Sequence, residues 1–243
     1  GSFVQSTGNV IAGQLGLITK NKGYNITHIH LGLAFENALL DAMMQLNTNP
    51  SNTYLVGGVD EISPFHYNIE TLAGSYKKED ISNKYLYETD SPGCVVGEGA
   101  AMFVVNTEAA SSIANVAAIS TIHSTDIELL KQQLNLFLQK NIPAGENVDL
   151  FLSGENGDNR TLPYYTACET LLADDTAVVR YKHMVGDYAT VSALGLWYAC
   201  EFLQQPVPEH MFKKKTSKTE YRNILLYNNF KGLQHSFILV SNL

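Results

Sequence analysis

Residues 176–204 read TAVVRYKHMVGDYATVSALGLWYACEFLQ. The first six, TAVVRY, are largely apolar and β-branched, the pattern of a buried strand. A glycine-bearing turn follows. Residues 188–204 then carry a helical pattern that is apolar nearly all round and rich in Ala, Gly and Ser. Such a helix has no solvent face, so it belongs at the centre of a layered protein, closely packed. Its longest apolar run, Tyr188 to Leu203, is broken by Thr190, Ser192, Gly195 and Glu201, too short and too interrupted to span a bilayer.

Outward from this stretch the chain alternates strand and helix. Upstream, 113–121 reads as a strand, 124–140 as a helix, 148–152 (VDLFL) as a strand and 163–173 as a helix. Downstream, 223–228 (NILLYN) and 235–241 (HSFILVS) read as strands. The order βαβαβαββ predicts a mixed sheet with helices on both faces. Nearer the start, 9–20 reads as a helix and YNITHIH (24–30) as a β-branched strand. Residues 33–46 read as a helix whose polar Asn37, Asp41 and Gln45 lie four apart. The turn NTNPSN (47–52) leads into the strand TYLVGGV (53–59). Residues 62–92 have no clear period and read as a surface excursion. SPGCVVGEGAAMFVV (91–105) is a glycine-rich turn running into an apolar strand. Residues 1–107 look like an incomplete version of the plan of 108–243, which predicts two related halves. The opening Gly-Ser-Phe, with no Met, reads as a cloning scar, a processed end or a missing front.

The 243 residues are 45% hydrophobic and only 16% charged, well under the ~25% charge usual in soluble chains. That balance predicts extensive burial, an oligomer face included. Sixteen Lys+Arg against 24 Asp+Glu leave a net charge of −8, which excludes whole-molecule attraction to a phosphate backbone and makes nucleic acid an unsuitable partner. Cys94, Cys168 and Cys200 are odd in number and far apart, so neither a disulfide scaffold nor a cysteine zinc site is expected. No signal-peptide pattern is seen, and a cytoplasmic location is expected.

The familiar motifs are absent. GEG (97–99) precedes a strand rather than a helix, and Met102 stands where a dinucleotide fingerprint wants glycine. No phosphate loop and no GxSxG elbow occurs, and no cofactor or metal is expected. His28 and His30, two apart on the predicted strand, would share a face as some metal ligands do, yet no third ligand accompanies them. Cys200 reads as a core residue. Cys94 sits in a turn with nothing adjacent to lower its pKa. Lys213, Lys214, Lys215, Lys218 and Arg222 gather five of the sixteen cations into ten residues. That cluster is either a solvated loop or a dock for an acidic partner.

Taken in order, SPGCVVGEGAAMFVV, the helix 33–46 with LVGGVDE (55–61), VDLF (148–151), ACE (167–169), YKHMVGD (181–187) and NNFKGLQHSFILV (228–240) resemble the β-ketoacyl-acyl-carrier-protein synthases of the thiolase superfamily. The likeness spans almost the whole chain. It implies a thiolase-like α/β fold, layered α-β-α-β-α, of two related halves. Residues 1–107 would be the remainder of the first half, lacking its opening strands and helices, and 108–243 the second half.

That family is one of acyltransferases, the 3-oxoacyl-acyl-carrier-protein synthases, which use a cysteine and two histidines. By the resemblance, the cysteine's place falls on Gly32, between Leu31 and Leu33. The histidines' places fall on SGENGD (153–158), where Asn156 is the nearest analogue, and on Asp187. Lys182 is retained, and Phe230 stands for the phenylalanine that gates the acyl pocket. The implied reading is a non-catalytic subunit akin to the family's chain-length factors. It would serve fatty-acid or polyketide synthesis, paired through a sheet edge with an active ketosynthase or with a second copy, and the 213–222 cluster would meet an acidic acyl carrier protein. Two alternatives stand beside it: an active acyltransferase using Cys94, or His30 assisted by Glu36, and a stand-alone acyl-binding scaffold.

Overall fold

The computed structural model describes residues 8–243. Its elements, in chain order, begin with α1 (Val10–Thr19), α2 (Ala34–Thr48), β1 (Tyr54–Asp60), α3 (Pro64–Leu72) and β2 (Gly99–Val105). There follow β3 (Asn115–His123), α4 (Ile127–Asn141), β4 (Leu150–Ser153), α5 (Leu162–Glu169), β5 (Ala177–Arg180) and the short α6 (Lys182–Val185). The chain ends through α7 (Ser192–Phe202), β6 (Phe212–Lys214), β7 (Asn223–Phe230) and β8 (Gln234–Ser241).

β3 to β8 form one mixed sheet in the order β3-β8-β7-β4-β5-β6, with β4 parallel to both β5 and β7 and the outer pairs antiparallel. β1 and β2 form a second, two-stranded antiparallel sheet. The alternation within the large sheet explains the layers. Leu150, Leu152, Ile224, Leu226, Ile238 and Val240 point one way, into a core shared with Phe35 and Leu39 of α2, Ala193, Leu196 and Ala199 of α7, and Val56 and Ala101 of the small sheet. Their neighbours Phe151, Leu225, Phe237 and Leu239 point the other way, onto Leu130, Leu134 and Phe137 of α4 and Tyr165 and Cys168 of α5. Period-two side chains thus serve two cores from one set of strands.

α2 and α7 lie between the sheets, in contact with each other. α7 can approach closely because Gly195 lies against the Tyr181 ring and Leu226, where a Cβ would collide. The mixed α/β fold class is as the alternation predicts. The stretch read as a surface excursion contains α3. Residues 24–30 differ from the expected strand, forming no regular element and pairing with no strand among the described residues. The β-branched pattern is there, the partner strand is not, and strand structure needs both. His28 and His30 therefore do not share a sheet face.

Candidate functional site

Two clusters hold the residues to which the sequence points. The first is at the start of α2. Leu31–Leu33 form a single 3-10 turn before the helix, and Leu31 adopts a φ of +49°. This left-handed backbone is strained for a side chain of its kind. Leu31 itself is exposed and carries no reactive group. Gly32 next to it is buried, and its N–H donates to Oε1 of Gln234 at 3.0 Å. The Gln234 amide in turn faces Nδ1 of His30 at 3.3 Å. A Cβ at residue 32 would run into the side chain of Phe230, the last residue of β7. Gly32 and Phe230 are thus brought together, and the ring fills the space that a nucleophile at 32 would need.

The second cluster gathers Asn156 from the loop after β4, Lys182 from the start of α6 and Asp187 from the loop after it. Lys182, 1% exposed, donates from Nζ to Oδ1 of Asp187 at 2.7 Å. Asn156 donates from Nδ2 to Oδ2 of the same carboxylate, also at 2.7 Å. Oδ1 of Asn156 accepts from the Asp158 N–H at 3.1 Å and the Thr161 hydroxyl at 3.2 Å. A carboxylate accepts hydrogen bonds and donates none. Asp187 is therefore the wrong group to stabilise a developing enolate or oxyanion, and its charge would oppose one.

The alternative nucleophiles fare no better. Cys94 is buried, with Sγ 3.3 Å from the Ser75 carbonyl. Burial, with Asp187 adding to it, pushes its thiol well above the ordinary value, and the thiolate that would attack is suppressed. His30 is not assisted by Glu36. That carboxyl is fully buried and accepts from the Ser236 hydroxyl at 2.7 Å, while Oε2 has no hydrogen-bond partner. Burial raises the Glu36 pKa above 4.5. Of the two histidines before α2, His28 reaches Asp41 at 3.3 Å whereas His30 faces Gln234. Among the described residues no three His, Cys, Asp or Glu side chains are grouped to hold a metal.

The basic cluster is divided. Lys213 bridges Glu155 and Glu169 at 2.7 and 2.8 Å, Lys218 bridges Asp149 and Asp175 at 2.8 and 2.9 Å, and Lys215 pairs with Glu209. Lys214 and Arg222 are exposed and carry no ion pair among the described residues. Two cavities, of about 700 and 330 Å3, are lined by neither Gly32, Phe230, Asn156, Lys182 nor Asp187.

No protein-family profile matches the chain, and no curated protein sequence matches it. Solved structures do. A β-ketoacyl synthase from Burkholderia phymatum STM815 superposes with a TM-score of 0.81 at 15% identity, over all of this chain and 67% of that one. A type II polyketide acyl-carrier protein in complex with its ketosynthase bound to the hexaketide (AntDE:AntF) matches with a TM-score of 0.81 at 14% identity, over 99% of this chain and 68% of that one. The ishigamide ketosynthase/chain length factor matches with a TM-score of 0.78 at 12% identity, over 98% and 66%. The fold is that of the β-ketoacyl synthases. The chain spans about two thirds of these neighbours, and 50% of a modular ketosynthase from the bacillaene synthase of Bacillus subtilis 168.

Within this ketosynthase fold, one residue at the candidate site has no signature in the sequence: Gln234, at the start of β8, holds the Gly32 backbone N–H. A lone Gln in a strand carries no motif. Glu36, read from the sequence as a partner of His30, instead lies buried in the first turn of α2 with the Ser236 hydroxyl on it. No helix among the described residues is long and apolar enough to cross a membrane.

Proposed function

We propose that this chain is a non-catalytic, ketosynthase-like subunit of a fatty-acid-type or polyketide-type acyl-chain assembly, akin to a chain-length factor. The observation that carries the reading is the contact of Gly32 with Phe230. Where a ketosynthase-like chain would carry its acyl-accepting thiol at a helix N-terminus, this one has a hydrogen atom and a packed aromatic ring. Without a thiolate there is no acyl-enzyme. Without donors aimed at the enolate, the largest catalytic term is missing. Asn156, Lys182 and Asp187 satisfy one another instead, which supports a structural role for all three.

In this reading residues 1–107 and 108–243 belong to two related halves. The chain works in the cytoplasm against a catalytically competent ketosynthase, or as a homodimer, and Phe230 shapes the wall at the old nucleophile position. The acidic acyl carrier protein of the pathway approaches the 213–222 loop, where Lys214 and Arg222 remain free to meet it. Purified protein given acyl- and malonyl-carrier protein is expected to release no carbon dioxide and to gain no acyl mass. Turnover, or an acyl adduct on Cys94 or His30, would overturn the reading.

A further inference from the structure

His183 follows Lys182 on α6, and it is 9% exposed. Neither of its ring nitrogens has a hydrogen-bond partner, and both are enclosed by the described residues. No chain beyond those residues reaches them. The ring makes T-shaped contacts with Tyr87 and with His210, at centroid distances of 5.4 and 5.7 Å. The Arg180 guanidinium covers the Tyr87 ring at 3.7 Å. Four flat groups from three parts of the chain thus stack together. The same stack fastens residues 83–87 to α6. Asn83 donates from Nδ2 to the His183 carbonyl at 2.8 Å. The His183 backbone N–H donates to the Tyr87 hydroxyl at 3.2 Å, which donates on to the Glu155 carbonyl at 3.1 Å. Leu86, buried between them, lies where a Cβ on Gly157 would project. Loosening this segment would therefore open the loop that carries Asn156.

This packing has no place for a charge on His183. A protonated imidazole carries two N–H donors and needs an acceptor for each. The Glu155 carboxylate is already shared by Arg180 and Lys213, and that of Asp187 by Lys182 and Asn156. Glu209 pairs with Lys215, and Lys84 and Glu88 are exposed. Tyr87 stays neutral because burial raises its pKa. We propose that the Tyr87–His183–His210 stack is an acid-released clasp, which holds residues 83–87 on α6 while His183 is neutral and frees them when it takes a proton. Burial, with His210 and Arg180 adding to it, holds the His183 pKa down from 6.5 to about 4. The stabilisation from the neutral ring is therefore complete above pH 6.5 and is lost as pH falls towards 4. At pH 5 the released form gains about thirtyfold over neutral pH. None of this depends on whether the chain is catalytic.

The test measures amide exchange of the whole chain at pH 7 and pH 5, corrected for the intrinsic exchange rates. Protection over 83–87 is expected to fall about thirtyfold at pH 5, while α4 and β7 keep theirs. His183→Phe retains a flat ring that takes no proton, and its protection over 83–87 is expected not to change between the two. Should that variant misfold, the ring-proton resonance of His183 in the unaltered chain decides, by titrating near pH 4. Equal protection of 83–87 at both pH values would overturn the proposal. So would an equal loss in the His183→Phe protein, a loss spread over α4 and β7, or a His183 resonance that titrates near pH 6.5.

Discussion

Phe230 lies where a side chain at residue 32 would project, so the two positions are sterically coupled although 198 residues separate them. The backbone N–H of Gly32 is spent on Gln234, on the strand that follows Phe230 across the turn. The packing therefore leaves no room for a side chain at residue 32.

This coupling predicts that Gly32→Cys gives no reactive thiol. The new Cβ overpacks against the ring, at a cost of about 1–3 kcal/mol, and the thiol stays slow to alkylate. Pairing it with Phe230→Ala relieves the collision, so the double variant is expected to melt above Gly32→Cys and to label faster, still without releasing carbon dioxide. A Gly32→Cys protein as stable as the parent and rapidly alkylated would refute the coupling.

Lys182 and Asp187 form a nearly buried pair whose carboxylate also receives Asn156. Removing the ammonium with Lys182→Met strands a charge in the interior and is expected to lower stability by about 3 kcal/mol or more. The double change to Lys182→Met with Asp187→Leu is expected to recover much of that loss. A catalytic lysine would show the opposite pattern, with activity lost and stability kept. Denaturant unfolding of the three proteins separates the two.

Much of the fold is legible in the sequence, and the reasons are local. The helix at 188–204 is recognisable because it lacks a polar face, and α7 indeed lies between two sheets. β7 and β8 announce themselves by apolar runs around a glycine turn. α3 is missed because its apolar Phe65, Ile69 and Leu72 face solvent, at 76, 47 and 89% exposure. Its real signals are Ser63, whose Oγ accepts from the His66 N–H at 3.1 Å, and Pro64 in the first turn. At the candidate site, the absence of a thiol is plain from residue identities. The Lys182–Asp187–Asn156 contact is not, because Asn156 comes from a different loop, with no spacing rule to join it.

Glu36 gives the protein a distinctive pH response. Burial raises its pKa in the folded state above 4.5, so the folded state holds the proton more tightly than the unfolded chain. The stability tied to that proton is complete below pH 4.5 and is lost as pH rises towards the folded-state pKa. Asp149 and Asp158 act in the opposite sense: backed by Lys218 and Arg160 against the penalty of burial, their pKa values are lowered, and their contribution is lost in acid. Comparing the parent with Glu36→Gln isolates the one group. Gln keeps an oxygen for the Ser236 hydroxyl and cannot ionise, so its melting temperature is expected to overtake that of the parent as pH rises. A difference that stays constant with pH would mean Glu36 is not the proton holder.

The basic loop offers a test that separates charge used internally from charge left for a partner. Lys218 holds Asp149, whose other oxygen caps the N–H groups of Arg222 and Asn223 at 2.9 and 3.1 Å. It therefore anchors the start of β7, and Lys218→Ala is expected to lower stability by about 1 kcal/mol with little change in carrier binding. Lys214 and Arg222 stabilise nothing comparable. Reversing both to Glu is expected to leave the melting temperature within a few degrees of the parent and to weaken binding of an acidic carrier protein about tenfold, chiefly through slower association. The effect should shrink as salt is raised, since exposed charges act over about one Debye length. Equal loss of binding from Lys218→Ala would place the carrier elsewhere on the loop, and no loss from either would remove the carrier from this face altogether.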